Sequence, residues 1–89
     1  MTALNKPIQM ICVCDVDGEL RPLRFRFEDD EHCVHTVKVS EVLVAKELNY
    51  VGTQSFLYVC KALAGDREIM FELRYAVKAH KWVLFRYIN

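Results

Sequence analysis

Cysteine and histidine are the side chains of this chain that could hold a metal or attack a substrate. Cys12 and Cys14 stand two apart, and His32, Cys33 and His35 crowd together further on. Brought into contact, these thiolates and imidazoles would suit a tetrahedral zinc ion. The spacing opposes that use. Structural zinc takes cysteines separated by short knuckle turns, whereas positions i and i+2 of one strand lie about 7 Å apart. The same separation opposes a Cys12–Cys14 disulfide. A cysteine nucleophile with His35 or His80 as its base is a second possibility on paper. Such a thiol needs an activating setting such as a helix N-terminus, and the sequence can show none for any of the four cysteines. A metal- or thiol-dependent enzyme around Cys12, Cys14 and His35 is therefore the alternative reading. The preferred one is core thiols and surface imidazoles, with no metal and no cofactor.

A second constellation follows directly. Ile11-Cys12-Val13-Cys14-Asp15-Val16-Asp17-Gly18 resembles the nucleophile motif of haloacid-dehalogenase phosphatases, an apolar strand ending in Asp-x-Asp-Gly. The resemblance implies a phosphorylated Asp15 and an acid-base Asp17. It also implies a larger α/β fold with a distant lysine and an acidic pair for Mg²⁺, and Glu19 stands where threonine or valine is usual. Asp and Gly are equally the residues of tight turns, and a hairpin turn over 15–19 is the reading preferred. An EF-hand loop fails because the oxygen ligands and the final glutamate are missing from Leu20 onward.

Charge is balanced, with 12 Lys and Arg against 12 Asp and Glu, so no bulk attraction to a polyanion follows. Placement says more than the sum. The cations Arg24, Arg26, Lys38, Lys61, Arg74 and Arg86 fall inside predicted strands, with Glu72 the acid among them. The predicted turns hold Asp15, Asp17, Glu19, the run from Glu28 to Glu31, and Asp66. A basic outer sheet face with an acidic rim is expected, and those six cations are the candidate binding residues. With Tyr58, Trp82 or Tyr87 beside them they would form a stacking platform for single-stranded nucleic acid. Spacing places the Trp and Phe residues in the core instead.

The elements that position these groups are read from periodicity. Ile69, Phe71, Leu73, Tyr75 and Val77 are apolar at every second position, with Glu72 and Arg74 between them, the period of a strand. Flanking runs from Ser55 and to Tyr87 complete a three-stranded meander, joined by short turns at 64–67 and 78–81. Earlier strands are expected over Ile8–Cys14 and Pro22–Glu28, the latter with Leu23, Phe25 and Phe27 inward. A third is expected from near Cys33 to Val39. Over 40–48 the β-branched Val39, Val42 and Val44 favour a strand continued through a bulge near Ser40-Glu41; a short helix capped by Ser40 is the alternative. Residues 1–6 are expected to fray.

Eighty-nine residues, 53% of them hydrophobic, make one domain able to form a core without metal or disulfides. No apolar run is long enough to span a membrane as a helix, and the first residues lack the pattern of a secretory signal. A cytoplasmic location with reduced thiols is expected. The fold expected is mainly β: a single small antiparallel curled sheet or half-open barrel, SH3-like or OB-like, of five to six strands with at most one short helix. Closure protects the bare edges of so small a sheet.

The strand sequences Thr36-Val37-Lys38-Val39-Ser40-Glu41-Val42-Leu43, Phe71-Glu72-Leu73-Arg74-Tyr75 and Trp82-Val83-Leu84-Phe85-Arg86 resemble those of small β domains associated with bacterial Y-family translesion polymerase-like proteins. Lys46 stands where that pattern has tryptophan. The resemblance implies an accessory, protein-binding role in DNA damage tolerance rather than catalysis. The function expected is a non-enzymatic interaction module with a protein partner or a second copy of itself, nucleic acid being the alternative partner.

Overall fold

A computed structural model describes residues 3–88. Its six strands are β1 (Lys6–Cys14), β2 (Leu20–Glu28), β3 (Val34–Tyr50), β4 (Thr53–Ala64), β5 (Arg67–Ala76) and β6 (Lys81–Tyr87). Every neighbouring pair is antiparallel, and the strands follow one another around a closed barrel in chain order. A short β1–β6 ladder, Lys6 to Ile8 against Leu84 to Trp82, completes it. No helix of the described residues is long and apolar enough to cross a membrane.

The turns explain why a meander forms. Asp15 to Glu19 and Asp29 to Cys33 make the same loop. In each, the first Asp N–H donates to the carbonyl of the fifth residue, and the fourth residue takes positive φ. That fourth residue is Gly18 in one loop and His32 in the other. Val51 and Gly52 both have positive φ, the backbone of a two-residue turn whose twist matches its strands. Of the segment expected to fray, Met1 and Thr2 lie outside the described residues. Leu4 N–H donates to the Phe85 carbonyl at 2.7 Å, and Lys6 already belongs to β1.

Alternate residues of β4, β5 and β6 build the core: Tyr58, Cys60, Ala62, Phe71, Leu73, Trp82 and Leu84, with Phe25 from β2. Phe25 meets Phe71 edge-on at 5.4 Å, and Trp82 sits between Tyr58 and Tyr75. The meander read from periodicity is thus the centre of the barrel.

Bulges bend the sheet into closure, as extra residues do. Ser40 and Leu43 are unpaired extras on β3, and Ser40 Oγ donates to the Lys61 carbonyl at 3.0 Å. The segment 40–48 is therefore strand with a bulge where the sequence suggested one, and not helix. A bulge on β2 corrects the expected alternation there. Ile11 pairs with Arg24 and Cys12 with Pro22, so Leu23 has no partner on β1. Pro22 is buried in its place, and Leu23 is 39% exposed rather than inward.

Candidate functional site

The six strand cations do not form one basic face. Arg24, Arg26 and Lys38 share the outer side of β2 and β3, where they alternate with Phe25 and Val37 of the core side. Arg24 lies directly opposite Lys38, and Arg26 opposite Thr36. Side chains at such opposed positions sit within about 5.5 Å at their β-carbons, and like charges there repel. Arg26 follows on the same face about 7 Å along the strand. None of the three takes a carboxylate partner among the described residues. With Gln9 and Ile11 of β1 and Thr36, Arg24 and Arg26 line an open depression of about 490 Å³.

The other three cations are spoken for. Lys61 pairs with Glu68 at 3.4 Å. Arg74 and Arg86 donate their Nε groups to the two carboxylate oxygens of Glu72, at 2.7 and 2.8 Å. Glu72 is on the outer face, as its period predicts, yet only 1% exposed. The arginines roof it, and the Arg74 guanidinium lies 3.6 Å from the centre of the Phe85 ring. Sequence could pair Glu72 with Arg74 by their i, i+2 spacing, but Arg86 arrives through the β5–β6 register.

The aromatic half of the alternative nucleic-acid platform is not brought to this face, and Trp82 lies in the core as its spacing predicts. Tyr58 and Trp82 are buried, and burial pushes the Tyr58 hydroxyl up to about 12. Tyr87 is exposed but pairs with Phe71 on β5, away from Arg24. Beside Arg24, Arg26 and Lys38 the outward residues are Gln9, Ile11 and Thr36.

The cysteine and histidine groups do not converge. Cys12 and Cys14 lie opposite Pro22 and Leu20, whereas Val34, next to the His32 and Cys33 turn, lies opposite Glu28 at the far end of β2. About 20 Å of strand separates them. Cys12 packs against the core, where burial first and Cys14 second push its thiol up. Cys60 is wholly buried, its thiol raised to about 12. Cys14 and Cys33 are exposed, and all four thiols are free. Each histidine has another neighbour: His32 Nδ1 lies 2.6 Å from Glu28, His35 Nε2 lies 2.7 Å from Asp29, and His80 Nδ1 lies 3.1 Å from the Tyr75 hydroxyl. His35 also stacks on Phe27.

What the structure does gather is Asp15, Asp17 and Glu19, with one carboxylate oxygen from each within 4.8 Å of the others. Asp15 is paired with Arg21 at 3.3 Å, and Asp17 accepts from the Glu19 backbone N–H. These are the bonds of a hairpin turn, the reading preferred for this motif over a phosphatase nucleophile.

No protein-family model, no curated protein and no solved structure matches this chain.

Proposed function

We propose that this protein is a non-enzymatic binding module that holds an acidic segment of a protein partner on the outer face of β1, β2 and β3. The observation that carries this reading is Arg24 set directly opposite Lys38, with Arg26 on the same face and no carboxylate on any of the three among the described residues. Opposed like charges cost stability, and a bound carboxylate would relieve that cost while gaining charge-assisted hydrogen bonds. The surrounding Gln9, Ile11 and Thr36 offer amide, hydroxyl and apolar contact but no ring on which a base could stack. That favours a protein partner over single-stranded nucleic acid.

The resemblance to small β domains associated with Y-family polymerase-like proteins supports an accessory role in DNA damage tolerance. Two exposed, unpaired thiols fit a reducing cytoplasm.

The test is fluorescence anisotropy with three labelled probes, a poly-glutamate peptide, single-stranded DNA and single-stranded RNA, at low and moderate salt. The expected result is salt-sensitive binding of the peptide that Arg24→Gln with Lys38→Gln weakens. Preferential binding of DNA or RNA, with a salt slope falling by about one per cation removed, would make nucleic acid the partner. Absence of salt-sensitive binding to any probe would overturn the reading.

A further inference from the structure

β2 and β3 run side by side from Glu28 and Val34 to Arg24 and Lys38, and then part. From Val39 onward β3 pairs only with β4, and from Pro22 back to Leu20 β2 pairs only with β1. The extra residue Ser40 marks the parting, because a bulge turns its strand away from the neighbour. Two strand edges therefore face each other across a gap that no β2–β3 pairing bridges among the described residues. The gap is a groove of about 400 Å³, within the range of ligand sites.

Its floor is apolar, made by Leu20, Val42, Phe56 and the ring of Tyr58. Its lips are acidic. Asp17 and Glu19 stand on the β1–β2 side and Glu47 on the β3 side. Arg21 is already paired with Asp15, which leaves Lys46 as the cation at the lip without a carboxylate partner among the described residues. An extended peptide laid in such a gap adds a strand: its backbone satisfies the open edge, and alternate side chains enter the floor.

We propose that this gap is a strand-addition site for an extended segment of a protein partner in which apolar residues alternate with Lys or Arg. The apolar side chains seat on Leu20, Val42, Phe56 and Tyr58, and the cations meet Asp17, Glu19 and Glu47. The site is independent of the Arg24, Arg26 and Lys38 face and has the opposite charge preference, so either can fail without the other.

The test is selection of a displayed library of random peptides on the full chain, followed by synthesis of the enriched sequences. Enriched peptides should alternate apolar residues with Lys or Arg, and should shift backbone amide resonances over 20–23 and 41–50. Ala45 faces the groove opposite Tyr58, and Ala45→Arg should weaken binding about tenfold or more. Asp17→Asn with Glu19→Gln, both at exposed positions, should weaken it at low salt with the fold intact. Arg24→Gln should leave it unchanged. No enrichment of such peptides, acidic peptides whose binding shifts the amides over 41–50, or equal binding by both groove variants would overturn the proposal. So would a dimer in sedimentation that Ala45→Arg dissociates, since a second copy would then be the occupant.

Discussion

Glu72 Oε1 accepts from Arg86 Nε at 2.8 Å while Oε2 accepts from Arg74 Nε at 2.7 Å, and the carboxylate has almost no contact with water. The two ends of this triad are unequal. The arginine side chains are 35% and 40% exposed, so they can turn to solvent if the carboxylate goes. Glu72→Gln is expected to cost about 1.5–3 kcal/mol, the worth of hydrogen bonds to a charged group. Arg74→Met with Arg86→Met keeps an apolar cover over a carboxylate left without a partner and is expected to cost about 3–5 kcal/mol. Urea midpoints at constant m-value measure both, and equal losses would show that water reaches Glu72.

The bulge on β2 makes neighbouring apolar residues unequal. Phe25 is 1% exposed and packs on Phe71, so Phe25→Ala is expected to cost about 3–5 kcal/mol. Leu23 lies outside the ladder, and Leu23→Ala is expected to cost less than about 1 kcal/mol. A large loss at Leu23 would restore the uninterrupted alternation.

Val51 carries φ 45° at a position with no contacts to lose, since it is fully exposed. A branched side chain in the left-handed region costs about 1–2 kcal/mol, and asparagine tolerates that region. Val51→Asn is expected to raise stability by about 1 kcal/mol, read as a rise of about 4–8 °C in melting temperature. Gly52→Ala should move the other way. A β-carbon on Gly52 would meet nothing within 4 Å, so its loss would report backbone strain alone.

Asp29 organises the β2–β3 turn. Oδ1 accepts from the Glu31 and Cys33 N–H groups, and Oδ2 lies 2.7 Å from His35 Nε2. The bond from His35, followed by that from Cys33, holds this carboxyl below its usual value. Its folded pKa is lower than its unfolded one, so its contribution is present above the unfolded value and lost as pH falls through the folded value. Denaturation followed from neutral pH to below about pH 4 should show that loss in the wild type. Asp29→Asn should lack it, and parallel curves for the two proteins would remove the turn from the acid response.

Much of the fold was legible because its rules are local. The alternation of Phe71 and Leu73 around Glu72 identified β5, the Asp-Val-Asp-Gly stretch identified a turn, and the β-branched residues around Ser40 marked a bulged strand. Each depends on the nearest few neighbours in the chain, which the sequence displays directly. Leu23 was misread for the complementary reason: an extra residue on β2 is visible only against its partner, β1.

The candidate site was half legible. That Arg24, Arg26 and Lys38 face outward follows from their period. That Arg74 and Arg86 are bound to Glu72, while the first three have no carboxylate partner among the described residues, follows from which strands are neighbours around the barrel.

The amino-acid sequence by itself determined the antiparallel strands, their turns and most of the inward residues, because a side-chain period of two and a tight turn are properties of short segments. Only the tertiary structure decided the closure of β1 on β6, the parting of β2 from β3, and the separation of Cys12 and Cys14 from His35. Those depend on register between segments far apart in the chain, and one unpaired residue changes which side chains meet.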